Sequence, residues 1–177
     1  MNVLLTILII IAALFVLLLI AAALIKKEYN VQQQVIINRN SKDVFDYIKL
    51  LKNQRSFNKW AMMDPDAKMD YIGTDGTVGF IYTWDSENKN VGKGEQEIKG
   101  ISDNARIDSE VRFEKPFKNV AEVFMETRAV SENETSVQWA MNGKNPYPMN
   151  IMNLFIPGML SKDMGTSLNN LKSILES

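Results

Sequence analysis

The chain opens on an unbroken apolar stretch. Between Val3 and Ile25 the only polar residue is Thr6. Wound as a helix at ~1.5 Å per residue, this stretch covers ~34 Å, enough for the ~30 Å hydrocarbon core of a bilayer. No face of such a helix is polar, so it is expected to cross a membrane rather than line a protein core. A cleaved signal peptide is the alternative, with Ala21-Ala22-Ala23 as the small-residue cleavage site. Signal cores, however, run ~7–15 residues behind a basic start, and no Lys or Arg precedes this one. The chain is therefore expected to divide into 1–27, a membrane-spanning helix with its basic flank, and 28–177, a folded domain. Lys26, Lys27, Arg39 and Lys42 follow the span. By the positive-inside rule they place the domain in the cytoplasm; an exported domain behind an uncleaved anchor or a cleaved signal is the alternative.

After Lys27 the period changes to two. Residues 29–37 set Val31, Gln33, Val35 and Ile37 against Gln32, Gln34 and Ile36, the pattern of a strand. Ser41 is the expected N-cap of a helix on which Val44, Phe45, Ile48 and Leu51 recur at helical spacing. A second short helix or loop leads to Trp60, and Asp64-Pro65-Asp66 breaks it. Six more strands are expected: 69–73, 77–84, 92–101, 106–113, 120–130 and 135–143. The first two are joined by a hairpin at Asp75-Gly76.

Each strand has an apolar face. Val78, Phe80, Tyr82 and Trp84 share one side of 77–84. Gln96 and Ile98 oppose Lys93, Glu95, Glu97 and Lys99. Ser109, Val111 and Phe113 oppose Asp108, Glu110 and Arg112. Val123 and Met125 oppose Glu122 and Glu126, and Val137, Trp139 and Met141 line the last strand. Short connections make the strands antiparallel, in a sheet wetted on one side only. After the apolar run that ends at Pro157-Gly158, a helix beginning at Met159 carries Leu160, Met164, Leu168, Leu171 and Leu175 at spacings of three and four, and so supplies a cover.

With this order of elements, three stretches carry a family likeness. They are the opening strand followed by 41–48 and Trp60, the glycine-punctuated segments 73–79 and 92–95, and the closing helix around 164–172. Together they resemble the START-like or SRPBCC superfamily, the helix-grip proteins of polyketide cyclase/dehydrase and birch-pollen-allergen type. The likeness runs from about Tyr29 to Leu175. It implies an α+β fold in which a seven-stranded antiparallel sheet wraps a long C-terminal helix, here preceded by one transmembrane helix. It also implies an apolar cavity between sheet and helix that holds a lipid or another hydrophobic small molecule. A fold-level likeness does not carry a reaction with it.

Composition narrows the chemistry. The chain has 177 residues, no His and no Cys. Thiol nucleophiles, disulfides, Cys or His metal sites and His-based acid–base catalysis are thereby excluded. A formal net charge of −1 gives no basic footprint for nucleic acid. Nothing in the sequence calls for a cofactor or a metal. Asp64, Asp66 and Asp70 do not make an EF-hand, because Lys68 and Met69 stand where that loop needs an oxygen ligand and a glycine.

The expected cavity wall comprises the strand residues from Val78 to Met141 named above, closed by Met159, Leu160, Met164 and Leu168 from the helix. Any one of them equally serves an ordinary core. The six acids Glu95, Glu97, Asp108, Glu110, Glu122 and Glu126 all fall on the wet face, which leaves Tyr82 as the weak candidate for a catalytic acid. Segment 145–160, with three prolines and a string of apolar residues, reads either as packing over the sheet or as a gate beside the membrane. A membrane-anchored binding module is the first expectation. An enzyme of polyketide cyclase/dehydrase type and a protein-interaction domain are the alternatives; no protein partner is named by the sequence.

Overall fold

The period-two segments form seven strands in a computed structural model that describes residues 2–177. These are β1 (Glu28–Ile37), β2 (Lys68–Ile72), β3 (Ile81–Asp85), β4 (Lys93–Ser102), β5 (Arg106–Lys115), β6 (Asn119–Ser131) and β7 (Glu134–Lys144). They make one antiparallel sheet in the order β1-β7-β6-β5-β4-β3-β2. Buried and exposed residues alternate along most of it, as on β6, where Ala121, Val123, Met125 and Thr127 point inward. The outward face is charged. Arg112 bonds there to Glu95 (2.6 Å), to Glu97 (2.7 Å) and to Glu110, and the Arg106 guanidinium lies 3.7 Å over the Phe124 ring.

Helix α1 (Val3–Leu24) precedes the sheet and is long and apolar enough to cross a membrane. Ala22 alone is buried along it. The first strand pairs with the last, Val31 opposite Met141, which leaves β1 and β2 as the two edges of the sheet. Between β1 and β2 come α2 (Ser41–Ile48), a 3-10 turn (Leu51–Asn53), α3 (Gln54–Phe57) and α4 (Lys59–Met62). A second 3-10 segment (Met149–Leu154) leads into the closing helix α5 (Ile156–Leu175). α5 crosses the concave face beside β1. Gln33 ties the two together, its amide donating to Ser161 Oγ at 2.7 Å. Met164, Leu168 and Leu171 are buried beneath it, together with Phe45, Ile48 and Phe57 from the other helices.

Four local expectations are corrected. The cap of α2 is Asn40, one residue before Ser41; its side-chain oxygen accepts from the Asp43 N–H at 2.9 Å. Asp75-Gly76 does not form a two-residue hairpin. Pairing begins at Ile72 opposite Ile81, and Gly73, Gly76 and Gly79 all take positive φ in the loop between. The Asp75 carboxylate instead accepts from the N–H groups of Leu51 and Lys52 at 2.9 and 3.1 Å, so the loop caps the 3-10 turn. Val78 consequently lies in this loop, 61% exposed, and not on a strand. Pro157-Gly158 does not interrupt the final helix, because Pro157 sits in its first turn, where the missing N–H has no intrahelical partner to lose.

The strand register sorts the connections to two ends. The α1–β1 linker, the β3–β4 loop, the β5–β6 turn and the β7–α5 segment share one end. The loops after β1, β2, β4 and β6 share the other.

Candidate functional site: an apolar cavity

The cavity lies between the concave face, α4 and the first turn of α5, and has a volume of about 160 Å³. The sheet contributes Tyr82, Trp84, Gln96, Val111, Phe113, Val123, Trp139 and Met141. The rest of the wall comes from Asn58, Trp60, Ala61, Asp64, Ala67 and Met69 around α4, from Asn90 and Val91 in the β3–β4 loop, and from Leu160 of α5.

Aromatic packing shapes the wall. Trp60 and Trp139 meet edge to face at 6.2 Å, as do Trp84 and Phe113 at 6.1 Å. Tyr82 and Trp84 lie 5.5 Å apart. Edge-to-face pairs add a little attraction beyond the area they bury, but here their larger effect is to fix each ring. The Trp84 indole also donates to the Val91 carbonyl at 3.2 Å, which pins the β3–β4 loop to the wall. Gly94 makes this possible: a Cβ there would stand 2.6 Å from the Trp84 ring and 2.6 Å from the Arg112 carbonyl. α4 is held by its cap, with the Asn58 side chain accepting from Trp60 N–H at 3.1 Å, and by α5, whose Ser167 hydroxyl accepts from Lys59 N–H at 2.9 Å and whose Asp163 pairs with Lys59.

The polar groups are few. Tyr82 and Gln96 line the cavity, are almost wholly buried, and hydrogen-bond through their side chains to no other described residue. Burial pushes the Tyr82 phenol far above its ordinary range. It therefore keeps its proton at neutral pH and offers a hydrogen bond, but it is no base. The Trp139 indole N–H is buried without a partner. Asp64 brings one carboxylate to the wall and accepts from the Ser86 hydroxyl. A second void of about 10 Å³, lined by Gln54, Gln96, Ser109, Met125 and Trp139 among others, has room for one water-sized group. Among the described residues no cluster of acids has the arrangement of a metal site.

Of the residues expected to line the cavity, nine do: Tyr82, Trp84, Gln96, Val111, Phe113, Val123, Trp139, Met141 and Leu160. Ser109 and Met125 face the smaller void. Phe80, Ile98, Val137, Met164 and Leu168 are fully buried in the core instead. Phe80 stacks on Tyr71 at 6.3 Å. Met164 and Leu168 fill the seam where α5 presses on the sheet, so the open volume is displaced toward α4 and the first turn of α5. Met159 is 58% exposed and points away. The helix α4 and loop residues were not expected. Trp60 stood out in the sequence, but no periodicity marks Asn58, Ala61, Ala67 or Val91 as wall residues. Asp64, which is not one of the six strand acids expected on the wet face, reaches the wall from the segment after α4.

No protein-family model matches the sequence, and no curated protein sequence matches it either. Solved structures do resemble it. Norcoclaurine synthase from Thalictrum flavum superposes with a TM-score of 0.61 at 9% identity, over 83% of this chain and 86% of that one. The Aha1 dimer structure from Colwellia psychrerythraea gives 0.56 at 12% identity, over 84% and 96%. Ara h 8.0201 gives 0.52 at 8% identity, over 81% and 98%. At these identities the likeness is one of fold: a helix-grip α+β sheet with a long C-terminal helix.

Proposed function

We propose that the chain is a single-pass membrane protein whose residues 28–177 form a domain of the START-like superfamily, and that this domain binds a small apolar molecule built on one ring. The observation that carries the reading is the aromatic-lined cavity of about 160 Å³ with Tyr82, Gln96 and the Trp139 indole N–H among its uncommitted polar groups. An apolar cavity of ~150 Å³ is enough for benzene. A sterol or a two-chain lipid needs several times more room, so the lipid expectation narrows to a compact ligand. Pockets of this kind take their affinity from apolar walls and their orientation from a few polar groups. The Tyr82 hydroxyl donates, and the Gln96 amide both donates and accepts. A ring bearing one hydroxyl or carbonyl meets both requirements. Norcoclaurine synthase, of the same fold, was crystallised in complex with dopamine and hydroxybenzaldehyde, both single-ring molecules.

The anchor reading rests on the apolar run of α1 and its exposure along almost its whole length. The test uses the full chain in lipid nanodiscs. Titration with 4-fluorophenol, followed by 19F NMR, is expected to give saturable binding that weakens for fluorobenzene, which lacks the hydroxyl. Equal, non-saturating partition of both probes overturns the reading.

A further inference from the structure

The segment that joins the sheet to α5 is tied to the end of α1 by a chain of asparagines. The Asn150 amide donates to the carbonyls of Ala22 and Ile25 at 2.6 and 2.7 Å. The Asn153 amide donates to those of Lys26 and Lys27 at 2.9 and 3.0 Å. Asn145 donates from its side chain to Asn153 at 2.6 Å and from its backbone to Lys27 at 2.8 Å. Asn119, at the start of β6, donates to Asn145 at 3.1 Å. One of these acceptors, Ala22, lies in the last turn of α1, where carbonyls lack intrahelical donors, and the other three form the linker that follows it.

This clamp fixes depth as well as contact. Only Ile25, Lys26 and Lys27 separate α1 from β1, so Leu24 and Glu28 stand at most ~14 Å apart even if the linker is extended. Asn150 bonds to Ala22, which still lies inside the apolar run. If α1 spans a bilayer, as proposed above, the 3-10 segment therefore sits level with the last turn of the span, where hydrocarbon gives way to headgroups.

The side chains that end of the domain exposes suit that level. Leu154 is 60% exposed, Phe155 74% and Phe117, in the β5–β6 turn, 61%. Tyr147 and Met159 are exposed beside them. Isolated apolar side chains on a surface need no explanation, but a group gathered around a membrane-length helix does. Lys26, Lys27, Lys115 and Lys118 are exposed at the same end and make no ion pair among the described residues. Of the acids there, Glu28 is paired with Lys144 at 3.4 Å, Glu114 and Asp85 share Lys93 at 3.4 and 3.5 Å, and Asp66 before β2 is exposed and unpaired among the described residues, so the free lysines outnumber the free acid. Glu87 and Lys89, in the β3–β4 loop, offset each other. Apolar residues ringed by free lysines match an interface of acyl chains below anionic headgroups.

We infer that this end of the domain is a bilayer-docking surface: Leu154, Phe155 and Phe117 insert at the interface while the lysines face the headgroups. The domain is then seated on the membrane rather than swinging from a tether. Leu160, one turn into α5, lines the cavity, so the docked surface and the cavity wall belong to the same short helix start.

Because the chain has no Cys, single thiols report cleanly. Phe155→Cys, Phe117→Cys, Asn133→Cys at the opposite end and Leu14→Cys within α1 are each made in the full chain. The variants are reconstituted in phosphatidylcholine–phosphatidylglycerol nanodiscs and spin-labelled. Oxygen and a nickel chelate then compete as relaxing agents. Positions 155, 117 and 14 are expected to favour oxygen several-fold over position 133. An oxygen-favouring signal at 14 with water-like signals at 155 and 117 overturns the docking surface and leaves the anchor standing. Water-like signals at all four overturn both. Unlabelled thiols at 155 and 117 provide a check free of the label's own affinity for lipid. Their reaction with a charged maleimide is expected to slow several-fold on reconstitution, and an unchanged rate overturns the proposal.

Discussion

The side-chain amide of Asn150 lies 2.6 Å from the carbonyl oxygen of Ala22, a contact between residues 128 positions apart. Asn150 is itself 1% exposed, so this hydrogen bond is shielded from water. It joins the last turn of the apolar helix to the segment that launches α5, and the cavity wall begins one turn further on, at Leu160.

Replacing Asn150 by Ala removes the donor to the Ile25 carbonyl and leaves the Ala22 carbonyl only the long bond from the Ile25 N–H at 3.4 Å. Each lost buried hydrogen bond costs about 1–3 kcal/mol. The loss is expected to be local: amide exchange across Met149–Leu154 quickens about tenfold or more, as ~1.4 kcal/mol implies, while strands β4 and β5 exchange as before. Hydrogen exchange by mass spectrometry on the full chain checks this, and a uniform change across the sheet would contradict it.

At Gly94 an added methyl group meets the Arg112 carbonyl on one side and the Trp84 ring on the other. The carbonyl belongs to the neighbouring strand and cannot move without breaking the ladder. Gly94→Ala is therefore expected to destabilise the domain by about 1–3 kcal/mol, as overpacking does, and to push Trp84 into the cavity. A drop in the denaturation midpoint together with weaker 4-fluorophenol binding is the predicted pair of results.

Leu160→Ala should act in the opposite sense on the ligand. The side chain is half-buried, so the loss of stability is expected near the low end of the range for such changes, about 2 kcal/mol. The enlarged cavity should accept indole better relative to fluorobenzene. Competition binding between the two probes measures the shift.

The acid limb of stability follows from two carboxylates on the surface. Lys42 and Lys49 hold Asp46 down to about 2, and Arg112 with Lys99 holds Glu97 below its ordinary value. Both are depressed in the folded chain, so the stability they confer is full above the ordinary carboxylate range and is lost as pH falls through the folded values. Thermal unfolding is expected to be flat from pH 8 to about 5 and to decline below it. Arg112→Met removes the main cause of the Glu97 depression, so the variant is expected to be less stable at neutral pH and to show a shallower acid decline. With no His in the chain and Tyr82 held protonated, ligand binding should show no step between pH 6 and 8.

Much of this architecture was legible before any coordinates. The seven strands and the closing helix follow from period-two and period-3.6 patterns, because in an antiparallel sheet wetted on one side each residue's surroundings are set by its parity. Val78 shows where that logic stops. Parity counts only within a strand, and three glycines at positive φ let 73–79 leave the sheet before β3 begins. The wall of the cavity was half legible for a related reason. Trp139 and Met141 sit on a strand whose face could be read, but Asn58, Ala61 and Val91 reach the cavity from short helices and a loop with no period. Asp64 enters with them. Burial of Met164 and Leu168 was readable from their spacing; that they fill the seam with the sheet and leave the open space to Leu160 depends on how α5 seats over β1, which their spacing does not carry. The asparagine clamp carries no periodic signal, since apart from the Asn145–Asn153 bond its contacts join residues that only the fold brings together.

The chain has three tryptophans, and Trp60, Trp84 and Trp139 all line the cavity. Intrinsic tryptophan emission from the full chain in nanodiscs therefore reports on this one place. Titration with nitrobenzene, a one-ring quencher, is predicted to give saturable quenching. It should revert to the linear dependence of random collision in Val111→Phe, which fills the space. Linear quenching in the wild-type chain, or saturation unchanged by Val111→Phe, would contradict the assignment of this cavity as the binding site.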